Sequence, residues 1–232
     1  MELEVWLRWY AGILEDFGFD RAADEEAAEY LRGFLEEHGS IDLHGLELPS
    51  RNFIVFGAGP SLKEHAERFR GLDENLTVVS ADGATTALLE EGIVPHIIVT
   101  DLDGRVEDIL EASRLGSTIV VHAHGNNLEK LRRYLPLLKN LAGTTQSIPS
   151  RPLYNFGGFT DGDRAVFLAV ALGAERIILA GMDFGDTVTR YSRPGIKGET
   201  ARADPVKKLK LEYARKLIEW IRTNRDVEIE TW

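Results

Sequence analysis

Asn52-Phe53-Ile54-Val55-Phe56-Gly57-Ala58-Gly59-Pro60-Ser61-Leu62 is the stretch at which the chain changes character. A short apolar run enters a glycine turn, and a helical stretch follows. The apolar run spans Phe53–Phe56, and comparable runs recur at Leu76–Val79, His96–Thr100, Thr118–Val121 and Arg176–Ala180, with Gly or Asp at their ends. Helices are expected to start near Ser61, Gly83, Arg105, Asn126 and Gly162. Strand and helix in alternation predict an α/β fold, a mostly parallel sheet with helices on both faces. Ligands in such folds sit at the carboxyl ends of the strands.

Upstream of Asn52 the periodicity is helical. Leu3, Trp6, Leu7, Tyr10, Ile13, Leu14 and Phe17 recur at three- and four-residue steps, as do Ala27, Ala28, Leu31, Phe34 and Leu35. Helices are therefore expected over 2–16 and 24–38, with Gly39 as a C-cap. We divide the chain into a helical N-terminal extension, 1–50, and an α/β catalytic domain, 51–232. The aromatic face of the first helix is a candidate dimer surface, although packing on the main domain is the simpler and preferred reading. Downstream, 186–204 has no clear period, and a loop of that length is usually functional or disordered. An amphipathic helix carrying Val206, Leu209, Tyr213, Leu217, Trp220 and Ile221 follows, and Asp226–Trp232 alternates like a final edge strand.

Composition narrows the chemistry. The 232 residues include no cysteine, which excludes disulfides, thiolate zinc sites and cysteine nucleophiles. A net charge of −11 disfavours nucleic acid as a partner, since that binding relies on phosphates neutralised by Lys and Arg. No apolar run approaches the roughly 18 residues that span a bilayer, and Met1–Tyr10 does not read as a signal peptide. A cytoplasmic protein with no membrane partner is expected.

Several clusters fall at predicted strand ends. Thr100-Asp101-Leu102-Asp103-Gly104 is the strongest. Two carboxylates one residue apart repel each other, turn formation requires neither, and a divalent cation such as Mg²⁺ or Mn²⁺ would neutralise both. Asp82 in Ala81-Asp82-Gly83 either caps the next helix or joins this acidic shell. Asp161 and Asp163 in Phe159-Thr160-Asp161-Gly162-Asp163-Arg164 have the same two readings, cap or metal ligand. The adjacent Arg164 suits phosphate oxygens. Gly57, Gly59 and Ser61 let the backbone approach a ligand and open a helix, although the turn lacks the Gly-Lys-Ser/Thr ending of a phosphate-binding loop. His122-Ala123-His124-Gly125-Asn126 places two imidazoles on one side of a strand, facing a phosphate or buried in the core. Arg190, Arg193 and Lys197 lie in the long loop as candidates to close over a triphosphate.

Gly57-Ala58-Gly59-Pro60-Ser61-Leu62, Ala81-Asp82-Gly83-Ala84, Thr100-Asp101-Leu102-Asp103-Gly104, His122-Ala123-His124-Gly125-Asn126 and Gly158-Phe159-Thr160-Asp161-Gly162-Asp163-Arg164-Ala165 occur in that order. Together they resemble the archaeal 6-hydroxymethyl-7,8-dihydropterin pyrophosphokinases of the MptE type. The resemblance implies a Rossmann-like core and Mg²⁺-dependent transfer of diphosphate from ATP to the hydroxymethyl group of a reduced pterin. The products would be AMP and a pterin diphosphate for folate or methanopterin biosynthesis. Ala81-Asp82-Gly83 and Asp101-Leu102-Asp103-Gly104 are also similar, more distantly, to thiamine pyrophosphokinase. That enzyme has a second glycine where this chain has Ala84, and there is no room here for its C-terminal β-sandwich.

On this reading Asp101, Asp103, Asp82, Asp161 and Asp163 form the metal shell. Asp101, Asp103 and Arg164 are catalytic. Gly57, Gly59, Ser61, Asp82, Gly83, His122, His124 and Asn126 hold the nucleotide, and Asn155 and Phe159 hold the pterin. Three rival functions are a metal-dependent glycosyltransferase of the motility-accessory type, a thiamine pyrophosphokinase, and a nucleotide-binding module without turnover.

Overall fold

The computed structural model describes residues 1–72 and 74–232. Two helices, α1 (Leu3–Phe17) and α2 (Arg21–His38), lead into β1 (Asn52–Phe56), α3 (Leu62–Arg70), β2 (Thr77–Ala81), α4 (Ala84–Glu90) and β3 (Ile97–Thr100). Then come α5 (Val106–Arg114), β4 (Thr118–Ala123), α6 (Leu128–Tyr134), β5 (Leu141–Thr145), α7 (Asp161–Ala171) and β6 (Arg176–Ala180). The chain ends with β7 (Thr187–Thr189), β8 (Thr200–Arg202), α8 (Pro205–Asn224) and β9 (Glu228–Thr231).

Seven strands form one sheet in the order β5-β4-β3-β2-β1-β6-β9. All its neighbouring pairs are parallel. Because a strand–helix–strand crossover is right-handed, the side on which each helix lies follows from the direction in which the chain steps. From β1 to β5 it steps one way, and α3 to α6 cover one face. It then returns through α7 to β6 on the far side of β1, so α7 and α8 cover the other face. The order therefore reverses between β1 and β6.

The core has two layers of packing. Phe53, Val55, Val79, Val99, Ile177 and Leu179 face α1, α7 and α8. Ile54, Phe56, Val78 and Ile178 face α3 and α4, while Ile98, Ile119 and Val121 face α2, α5 and α6. The N-terminal helices thus lie on opposite faces of the sheet. The aromatic side of α1 is taken up by this packing, since Trp6 and Tyr10 are fully buried. These two aromatics are core residues, while Trp9 and Phe17 on the same helix keep part of their surface exposed. No helix among the described residues is long and apolar enough to cross a membrane.

Three local features differ from the pattern in the sequence. First, α2 begins at Arg21 rather than 24 because the Asp20 carboxylate accepts the Ala22 N–H at 2.9 Å and caps the helix. Second, β5 has no apolar run: Leu141-Ala142-Gly143-Thr144-Thr145 is made a strand by pairing with β4, and every residue is buried. Third, the 186–204 loop is partly ordered as the antiparallel pair β7–β8. Strands of three residues are too short to show alternation.

Candidate active site

The carboxyl ends of β1 to β6 open into one cleft of about 420 Å³. Its floor carries, from strand to strand, the Gly57–Pro60 turn, Asp82, Asp101, His122 and His124, Gln146, and the Gly181–Asp183 turn. Phe19 and Asp24 from the N-terminal helical hairpin wall one end, and Lys207 and Lys210 from the start of α8 overhang it.

At the centre, Asp82, Asp101 and Asp161 each offer a carboxylate oxygen within 4.8 Å of the others. The backbone is bent to achieve this. Asp82 has φ 42° and Leu102 φ 65°, left-handed values that are uncommon for such residues and concentrate at functional sites. Thr100 holds both turns: its hydroxyl donates to Asp82 Oδ1 at 2.5 Å and accepts the Leu102 N–H at 2.8 Å. Gly104 leaves room, because a Cβ there would lie 2.5 Å from Asp82 Oδ2. His124 Nδ1 accepts the Asn126 N–H at 3.3 Å, so Nε2 carries the proton that it donates to Asp101 Oδ2 at 3.1 Å.

Three carboxylates this close cannot all ionise freely. Burial, then repulsion from Asp101, pushes the Asp82 carboxyl up to about 7. Burial followed by repulsion from Asp101 and Asp82 raises Asp161 well above the usual carboxylate range. Burial also opposes ionisation of Asp101, but the hydrogen bond and charge of His124, the Asp103 N–H and the Lys130 charge together outweigh it and leave Asp101 below its ordinary value. Two carboxyls whose ionisation is opposed, beside one whose ionisation is favoured, make a site that a hard divalent cation would complete with oxygen ligands.

Other expected residues are placed elsewhere. The left-handed turn at Leu102 buries that leucine and turns Asp103 to the rim of the cleft, where it pairs with Lys130 and is 63% exposed. Asp163 is not in the metal shell. It caps its own helix, with Oδ2 accepting the Phe159 N–H at 2.6 Å and Oδ1 the Thr160 N–H at 2.8 Å, reciprocated by the Thr160 side chain. Arg164 is buried off the cleft, donating to the Phe159 carbonyl at 3.2 Å. The glycine turn is not a cradle of free amides. Gly57 N–H donates to Ala180 O and Gly59 N–H to Gly181 O, both at 2.8 Å, and Ser61 N–H donates to Asp183 Oδ2 at 3.2 Å. Its glycines serve close packing instead: a Cβ on Gly59 would sit 2.1 Å from Asp183 Oδ2. Asn155 holds its own loop, donating to Ser147 O and accepting the Gly157 N–H.

Phe159, Gly83, His122, His124 and Asn126 do line the cleft. Arg190 pairs with Glu90 and Glu199, and Arg193 with Asp204, the N-cap of α8. Neither reaches the cleft wall, and the cations that do are Lys207 and Lys210. Burial lowers the Lys207 ammonium, the neighbouring Lys210 adds to this, and Asp161 opposes it. Sequence reasoning also missed Asp24 and Gln146. Asp24 accepts from Tyr10 Oη at 2.6 Å, Gln146 Nε2 at 2.7 Å and Gly125 N at 2.7 Å. In the sequence it reads as one of several acids at the polar start of a helix, and nothing there distinguishes it.

The model of the MptE-like family, described as 6-hydroxymethylpterin diphosphokinase MptE-like, matches residues 28–189. The chain is 68% identical, over the whole of both proteins, to the 6-hydroxymethyl-7,8-dihydropterin pyrophosphokinase of Methanothermobacter thermautotrophicus. It is 46% identical to the protein of the same name from Methanocaldococcus jannaschii, covering 98% of this chain and 99% of that one. Among solved structures, the MAf glycosyltransferase of Magnetospirillum magneticum aligns with a TM-score of 0.51 at 16% identity, over 81% of this chain and 34% of its own. That last likeness concerns the fold alone.

Proposed function

The chain belongs to the MptE-like family of 6-hydroxymethylpterin diphosphokinases, and from that membership we propose that it transfers diphosphate from ATP to the hydroxymethyl group of 6-hydroxymethyl-7,8-dihydropterin. The products are the pterin diphosphate and AMP, in the synthesis of a folate- or methanopterin-type cofactor, and the metal is Mg²⁺. The observation that carries this reading is the convergence of Asp82, Asp101 and Asp161 in a cleft at the carboxyl ends of a parallel sheet.

The pterin hydroxyl oxygen forms a bond to the β-phosphorus of ATP and releases its proton to solvent, the bond from that phosphorus to the α–β bridging oxygen breaks, and AMP leaves. Such a reaction needs alignment and charge neutralisation more than covalent help. Asp82, Asp101 and Asp161 would hold Mg²⁺, which supplies neutralisation of the phosphate charge when bound. His124 orients Asp101 and keeps it ionised. Lys207 and Lys210 supply the remaining positive charge from above. The nucleotide lies over the β1/β6 reversal point, against the tightly packed Gly57–Pro60 turn, in keeping with the usual site in open α/β sheets.

AMP release is the test. Purified protein with ATP and Mg²⁺ should form AMP with 6-hydroxymethyl-7,8-dihydropterin and not with thiamine. Asp101→Ala should lower turnover at least about a hundredfold while the circular dichroism spectrum and melting curve stay close to those of the parent. Near-normal AMP formation by the folded variant would remove Asp101 from the metal site.

A further inference from the structure

Strand order divides the cleft. The Gly57 turn follows β1, and His122 to Asn126 run from the last residues of β4 into its following loop, three strands away. At about 4.8 Å per strand that is roughly 14 Å, with the acidic triad of β2, β3 and α7 between them. The histidine end is therefore a separate subsite from the glycine end, although the sequence groups both with the nucleotide.

That second end is walled by three polar side chains that are almost wholly buried and yet line the cleft: Asp24, His122 and Gln146, at 3%, 3% and 4% exposure. Their hydrogen bonding leaves acceptors over. Thr144 donates its hydroxyl to Val121 O at 3.3 Å, so the bond of 3.1 Å between Thr144 Oγ1 and His122 Nδ1 uses the histidine's proton. His122 Nε2 is buried and makes no hydrogen bond. Asp24 accepts three hydrogen bonds, and a carboxylate has about four such positions. Gln146 gives an N–H to Asp24, and its amide also faces the His122 ring. Next to this wall, Phe19 and Phe159 stand 6.4 Å apart between ring centroids, with the Lys210 ammonium 5.7 and 5.8 Å from the two rings.

We propose that the end of the cleft over β4 and β5 is the acceptor subsite, where Asp24, His122 and Gln146 read the donor-bearing edge of the pterin ring and Phe19 and Phe159 pack on its plane. This rests on the diphosphokinase reading above. A phosphate has no donor to offer a wall of acceptors and would be repelled by Asp24. A pterin presents an amino group and a ring N–H side by side on its pyrimidinone edge. The hydroxymethyl carbon is at the opposite end of the bicycle, so seating that edge against β4 and β5 turns the hydroxyl back toward Asp82, Asp101 and Asp161.

The test separates the two substrates by steady-state AMP release. In Gln146→Met the KM for 6-hydroxymethyl-7,8-dihydropterin should rise at least tenfold while the KM for ATP stays within twofold. Phe19→Ala, which disturbs no hydrogen bond of the Asp24 set, should do the same and carries the test if Gln146→Met melts early. The parent should prefer the natural substrate over an analogue lacking the 2-amino group by at least tenfold, and Gln146→Met should lose most of that preference. An unchanged pterin KM in both folded variants, or an equal rise in both KM values, overturns the placement. If the parent itself makes no AMP with the pterin, the functional reading falls and takes the placement with it.

Discussion

At the scale of single residues, the acidic triad sets a tension that pH can read. Burial and Asp101 hold the Asp82 proton up to about 7, and Asp161 is shifted in the same direction. An unfolded aspartate loses its proton near about 4. Between those values the folded chain binds more protons than the unfolded one, so stability falls as pH rises. In metal-free protein the melting temperature is expected to drop from pH 5 to pH 8. Asp82→Asn should flatten much of that slope, and Mg²⁺ should offset it by binding the ionised carboxylates. A melting temperature that does not fall over this interval, or a slope unaltered in Asp82→Asn, would show that the triad is not under this strain. Asp101 stood out in the sequence because it lies one residue from Asp103, and a turn requires neither carboxylate, whereas Asp82 read as well as a helix cap. The partition between Asp101 and Asp103 was not legible. It depends on a left-handed backbone angle at Leu102, and leucine gives no sign of adopting one.

Among the elements, α7 shows how one carboxylate can be mistaken for another. Asp161 and Asp163 are two residues apart at the start of the same helix, so they point in different directions around its axis. Asp161 faces the triad, while Asp163 turns back to bond Phe159 and Thr160. Asp163→Ala removes the capping box and strands two amides. It should cost about 1–3 kcal/mol in a denaturant titration while leaving Mg²⁺ affinity, measured by calorimetry on folded protein, within twofold. A tenfold loss of affinity would return Asp163 to the metal shell. Most strands could be read from their apolar runs. β5 could not, because its burial comes from its neighbours: Gly143 lies against Leu31, Leu35 and Leu153, where a Cβ would not fit. The cap that starts α2 early also positions Asp24, so a boundary error of a few residues concealed a wall of the site.

For the whole molecule, the two N-terminal helices belong to two different layers of packing. α1 contributes Trp6, Tyr10 and Ile13 on one face of the sheet, and α2 contributes Ala27, Leu31 and Leu35 on the other. Trp6 Nε1 donates to Gln146 O at 2.7 Å, and Ile41 N–H donates to Leu141 O at 2.7 Å. A fragment of residues 51–232 is expected to lack a cooperative thermal transition and to expose apolar surface to a hydrophobic dye. A sharp melt and normal AMP release by that fragment would show that the helices are an appendage. Amphipathic periodicity reveals that such helices exist, and it is silent about which surface each one covers. The contacts of α1 have a bearing on the timing of assembly. Its partners include Tyr213, whose hydroxyl bonds Asp16, and Glu2 pairs with Arg225 almost at the other terminus. α1 therefore finds Tyr213 and Arg225 only after α8 has been synthesised. Asp24 can be bound earlier, by Gly125 and Gln146, whereas Lys207 and Lys210 come with α8, so a chain interrupted before α8 would carry the acidic residues without that cover.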